Sequence, residues 1–155
     1  MTVDEPTLTV ARLGRLLENT SDVELSLPQY RVLGLLSTGD ERATQLAARV
    51  SVTKPTLTAI VDSLVERGYV RRETTDGDRR AVRLSITANG RTAVERTGAQ
   101  LREVLDDVVD RCERPEAVLA AIDELRRALD ARWAERVQGQ AEQMAAATRG
   151  ERAAR

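Results

Sequence analysis

A change of hydrophobic period at Gly68 constrains this chain more than any other feature. Before it, apolar residues recur at helical spacing. After it, Tyr69 to Thr74 and Val82, Leu84, Ile86 read as strands around an Asp76-Gly77 hairpin turn. From Thr87 the helical spacing returns. The spacing predicts helices over 8–21, from Leu27-Pro28 to the turn cluster at Ser37-Thr38-Gly39-Asp40, over 44–50 and over 53–67. Thr53 suits an N-cap, Pro55 falls in a first turn, and Gly68 sits where a C′ glycine belongs. Thr87 caps a long helix reaching Arg111 or Cys112, with a coiled-coil-like seam through Leu101, Leu105, Val108 and Cys112. Pro115 opens a last helix with Val118, Ile122, Leu125, Leu129 and Trp133 at steps of 4, 3, 4 and 4. The tail, 138–155, either extends that helix or frays.

Composition removes several classes of function. The chain has 155 residues, 41% hydrophobic, enough for one domain with a real core. It contains no His and one Cys, so no His/Cys metal cluster, no His-based triad and no intrachain disulfide is expected. No nucleophile–base set or phosphate loop is visible, so the expectation is not an enzyme, with no cofactor and no metal. The longest apolar run is six residues, 117–122, and there is no basic n-region followed by an apolar h-region. A soluble cytoplasmic protein is therefore expected.

The net charge of −1 on its face argues against a nucleic-acid partner, but it is an average. Residues 1–41 carry −4, residues 42–91 carry +5 and residues 92–155 carry −2. The positive excess coincides with the helix, helix and hairpin of the middle segment, whose order is that of a winged helix-turn-helix. On a helical wheel, Leu57, Ile60, Val61 and Leu64 fall within about 60° of one another's mean and form the core stripe. Pro55, Thr56, Ala59, Asp62, Ser63 and Glu66 face the other way, with Thr58 on the flank. The hydroxylated residues are N-terminal and the acids C-terminal, which suits a helix entering a major groove by its positive end. The candidate readers are Thr53, Lys54, Pro55, Thr56, Thr58 and Ala59. Lys54 can donate to guanine or to phosphate, and Ala59 can touch a thymine methyl.

The stretch from Leu46-Ala47 through Thr56-Leu57-Thr58, 61–70, Arg72, Asp78-Arg79-Arg80 and 84–87 to Gly90 resembles the multiple antibiotic resistance regulator (MarR) family. The motifs cover 27–90, and the rest follows by architecture. The resemblance implies a mainly α fold with a small β-hairpin wing. That is a winged helix-turn-helix lobe over 27–90, flanked by dimerisation helices over 1–26 and 91–137. It implies a homodimeric transcriptional regulator, often a repressor relieved by a small aromatic or phenolic effector, acting on a pseudo-palindromic double-stranded operator. The recognition helix is then 53–67 and the wing 74–82. Arg80 takes the family's minor-groove role beside Arg79. Asp78 orients an arginine or is simply a turn residue. Arg72 approaches phosphate or pairs with Asp78. The family often has Arg near the position of Ala59, and its absence points to shape-based or methyl-based readout. The family's effector cleft lies between the dimer helices and the lobe, where Arg12, Arg15 and Tyr30 are candidate contributors.

Blander readings stand beside these. Tyr30 and Trp133 suit a core, and Cys112 suits a small buried hydrophobe better than a redox sensor. The alternative function is a dimeric protein-interaction module with a vestigial winged helix.

Overall fold

The computed structural model describes residues 5–20, 23–39, 41–42, 46, 49–50, 52–74 and 82–153. Two units divide the chain, Met1–Asp110 and Arg111–Arg155. The first contains α1 (Glu5–Glu18), α2 (Leu27–Ser37), β1 (Glu41–Arg42), α3 (Lys54–Glu66), β2 (Val70–Thr74), β3 (Val82–Ile86) and α4 (Ala88–Val109). The second is α5, Pro115–Ala153.

Local chemistry explains most boundaries. Ser26 caps α2 in a capping box: the Gln29 backbone N–H donates to its hydroxyl at 3.4 Å, and the Gln29 side chain accepts from the Ser26 N–H at 3.0 Å. α3 starts at the Thr53 cap and ends in a Schellman motif, with Tyr69 N–H on Leu64 O and Gly68 N–H on Val65 O, both at 2.9 Å. The motif needs a left-handed residue, and Gly68 supplies it at φ 72°. α1 begins three residues before the expected start, because Glu5 and Pro6 both suit a first turn. It stops at Glu18, where Asn19 and Thr20 turn out of the helix, and Ser21 lies outside the described residues.

α4 is shorter than expected at its C-terminus. It ends at Val109, capped by Asp110, ahead of Pro115, which disfavours helix at Arg114. α5 answers the open question of the tail, continuing as helix to Ala153 for 39 residues, about 58 Å. Of the expected 44–50 helix, Leu46, Arg49 and Val50 are helical, and the remainder lies outside the described residues. Arg31 donates to the Val50 carbonyl at 2.8 Å and so ties that stretch to α2.

One element was not foreseen. β1 pairs antiparallel with β3 in the register Glu41↔Leu84 and Arg42↔Arg83, making a three-stranded sheet of order β1-β3-β2. Two residues are too few to carry an alternation signal. β2 and β3 pair as expected, Val70↔Ile86, Arg72↔Leu84 and Thr74↔Val82.

The core of the first unit is built by α2, α3, the sheet and the start of α4. Leu33, Leu36, Leu46, Leu64 and Leu84 are each 1% exposed or less. Leu101 and Val109 of the long helix are buried, while Val104, Leu105 and Val108 are half-buried. The apolar series of α5 is covered unevenly within the chain. Val118, Ile122 and Trp133 are half-buried, but Leu125 and Leu129 are 58% and 63% exposed.

The first turn of α4 is pressed against the end of α3. Thr87 caps α4 through the Gly90 N–H at 3.1 Å. Its own hydroxyl donates to Gly68 O at 2.7 Å, and its N–H donates to Tyr69 O at 2.9 Å. A Cβ at Gly90 would overlap the Tyr69 carbonyl oxygen and lie 2.9 Å from Ile86 Cγ1. Gly90→Ala should therefore cost about 1–3 kcal/mol of stability through overpacking against backbone that cannot yield. Urea denaturation measures it, and a cost below about 0.5 kcal/mol would contradict the contact.

Candidate nucleic-acid interface

α3 separates its two faces cleanly. Leu57, Val61 and Leu64 are buried at 4%, 3% and 0% exposure, as the wheel predicts, while Ile60 of the same stripe is half-buried. Thr53, Lys54, Pro55, Thr56, Thr58 and Ala59 are all exposed, clustered on the N-terminal two turns. The structure brings these six predicted residues together on one accessible surface.

The hydroxyls there are already partly committed. Thr58 Oγ1 donates to the Lys54 carbonyl at 3.0 Å, so its free capacity is to accept. Thr53 and Thr56 share a hydroxyl–hydroxyl hydrogen bond at 2.8 Å, and the Thr56 N–H donates to Thr53 Oγ1 at 3.4 Å. This network fixes the side chains that cover the positive end of the helix. Farther along, Gln29 Nε2 donates to Ser63 Oγ at 3.2 Å, anchoring α3 to the N-terminus of α2.

The wing root is described and its tip is not. Arg71, Arg72 and Arg83 are exposed on β2 and β3. Asp78, Arg79 and Arg80 lie outside the described residues. Arg72 pairs with Asp62 of α3, a partner that sequence reasoning did not name. Strand parity carried the signal. Arg72 lies two residues from buried Val70 and opposite buried Leu84, so it shares the sheet face that packs on α3.

A second cluster was also missed. Glu24, between α1 and α2, accepts a short hydrogen bond from the Tyr69 hydroxyl and pairs with Arg96 of α4 at 3.2 Å. Arg67 donates to the Glu24 carbonyl at 3.0 Å, and its guanidinium lies 4.7 Å from the Tyr69 ring centroid. The cluster joins the exit of α3 to α4 and to the α1–α2 connection. No local spacing announces it, because its members come from three distant segments.

The effector candidates are dispersed. Arg12 and Arg15 are exposed on α1, with Arg15 3.6 Å from Glu18. Tyr30 is half-buried on α2, and its hydroxyl lies 3.0 Å from where a Cβ on Gly98 would be.

A winged helix-turn-helix that exposes a hydroxylated helix face is the arrangement found in DNA-binding transcriptional regulators. Residues 23–81 match the MarR family model. The Bacillus subtilis HTH-type transcriptional regulator YfiV, itself uncharacterised, is 30% identical over 128 residues, 79% of this chain and 78% of that protein. YpoP of Bacillus subtilis, another uncharacterised HTH-type regulator, is 33% identical over 75 residues, 48% of this chain and about half (53%) of that relative. Among solved structures, the transcriptional repressor CouR bound to a 23-mer DNA duplex superimposes with a TM-score of 0.67 at 24% identity, covering 81% of this chain and 92% of that one. The chain belongs to the MarR family.

The Tyr69 cluster yields a pH prediction. The hydrogen bond to Glu24, then burial, raises the Tyr69 pKa above its ordinary 10.0, against the lowering effect of the Arg67 charge. The unfolded chain ionises first as pH rises. The stabilisation is therefore fully present below about 10 and is lost as pH climbs through the higher folded value. Tyr69→Phe should cost about 0.5–1.5 kcal/mol near neutrality and flatten the alkaline loss of stability. Denaturation midpoints measured from pH 8 to about 11 check both effects.

Proposed function

We propose that this protein is a homodimeric, sequence-specific repressor of transcription, released from its operator by a small aromatic or phenolic effector. The exposed N-terminal face of α3 carries the reading. It presents Lys54, Ala59 and three threonines opposite a buried leucine–valine stripe, inside the segment where the chain concentrates its positive charge. In this reading α3 enters the major groove by its N-terminus. Lys54 donates to guanine or phosphate, the Thr58 oxygen accepts from an exocyclic amine, and Ala59 and Pro55 meet thymine methyls. The wing follows into the minor groove, with Arg80 and Arg79 inserted and Asp78 orienting them.

Dimerisation is supported by apolar surface left uncovered on the helices outside the lobe. Leu8, Val10 and Leu16 of α1 are 47%, 65% and 43% exposed. Leu119, Leu125 and Leu129 of α5 are exposed likewise. Two-fold symmetry then sets operator half-sites about 10 bp apart. CouR, a repressor crystallised on DNA, shares the fold. For the effector, α1 supplies Arg12 and Arg15 and α2 supplies Tyr30, whose hydroxyl lies beside Gly98 of α4. A ligand preferring one arrangement of the two lobes would shift the DNA affinity by population.

Binding sites selected from random DNA, followed by mobility-shift titration, test the reading. Arg80→Ala should weaken operator binding by about 1–3 kcal/mol and reduce the salt slope by about one phosphate. Lys54→Ala should weaken the operator complex as well. A chain that binds no DNA at low salt would instead be a dimeric interaction module with a vestigial winged helix.

A further inference from the structure

Asp62 sits on the side of α3 away from its buried stripe, on the face that the proposed function turns toward DNA. An unpaired carboxylate there would be repelled by phosphate. Its partner, Arg72, is a cation at the wing root, where β2 passes α3. The two side chains keep 48% and 42% exposure, so the pair is solvent-facing and its charges remain within reach of a duplex. A pair this exposed adds little to stability. Its effect is on what the surface offers to DNA. A single Arg72 charge is shared between Asp62 and any phosphate, and Asp62 holds it at hydrogen-bond distance.

We propose that Asp62 is a specificity-determining residue that withholds Arg72 from the phosphate backbone. The inference rests on the DNA-binding reading above and deepens it. Phosphate contacts strengthen binding to every sequence alike, whereas base contacts discriminate. By occupying Arg72, Asp62 lowers the sequence-independent share of the affinity and leaves discrimination to Lys54, the threonines and Ala59.

The test compares the full-length protein on its selected operator and on a random-sequence duplex across a salt series. Asp62→Asn should bind the random duplex several-fold more tightly than wild type at low salt. Its log–log salt dependence should steepen by about 0.9, one phosphate, and its operator-to-random ratio should fall. Asp62→Ser, which also lacks the carboxylate, should give the same slope should Asn disturb the helix. The double variant Asp62→Asn/Arg72→Ala should lose the steepening. An unchanged or shallower slope in both single variants overturns the proposal while the wild-type complex upholds DNA binding. So does a steepening that survives in the double variant, because Arg72 would then not be the freed charge. A wild-type chain that binds neither duplex overturns the DNA-binding reading and this proposal together.

Discussion

The carbonyl groups of Gly68 and Tyr69 are the junction on which the first unit depends. Both accept hydrogen bonds from Thr87, and Gly90 leaves room for the Tyr69 oxygen. The Schellman turn of α3, the first pair of the β2–β3 ladder and the first turn of α4 all meet there. The Thr87 backbone N–H holds the Tyr69 carbonyl and the Thr87 hydroxyl holds that of Gly68, so the end of α3 and the start of α4 are joined by short hydrogen bonds from one residue. Around the junction, Glu24, Arg67, Tyr69 and Arg96 add a polar ring that reaches back to the connection before α2. The exposed face of α3 is presented by this rigid frame rather than by a loop.

Electrostatics then divide the labour. The lobe is positive and the flanking helices are negative, so a near-neutral chain still offers one attractive surface to phosphate. Within the lobe Asp62 is paired with Arg72. Outside it, Glu24 is occupied by Tyr69 and Arg96. On α5 the acids Asp123 and Asp130 are taken up by Arg126 and Arg127 at helical spacing.

The parts of the fold that were legible in the sequence are those governed by local rules. The Thr53 and Thr87 caps, the Gly68 exit and the paired strands on either side of the hairpin follow from residue type and period alone. So does the exposed face of α3, because burying Leu57, Val61 and Leu64 leaves only one side for Lys54 and the threonines. β1 escaped because two residues acquire strand character only through pairing with β3 across some forty positions. The Glu24–Tyr69 bond escaped for the same reason, spanning 45 positions. Arg72 is an intermediate case. Its parity with Val70 was readable, but its partner across ten positions required the packing of sheet on helix. The apolar spacing of α5 was readable, but not how much of it one chain covers, and Leu125 and Leu129 stay exposed.

The separation of faces on α3 has an evolutionary consequence. Apart from Thr53, which also caps the helix, the residues exposed on the N-terminal turns of α3 carry no packing duty in the core. Substitutions there can drift at little cost in folding, while the buried stripe and Gly90 hold the scaffold constant. A lineage carrying this fold can thus change the chemistry of that face by surface substitution alone, and the threonine-rich face is one outcome on a frame that accepts many.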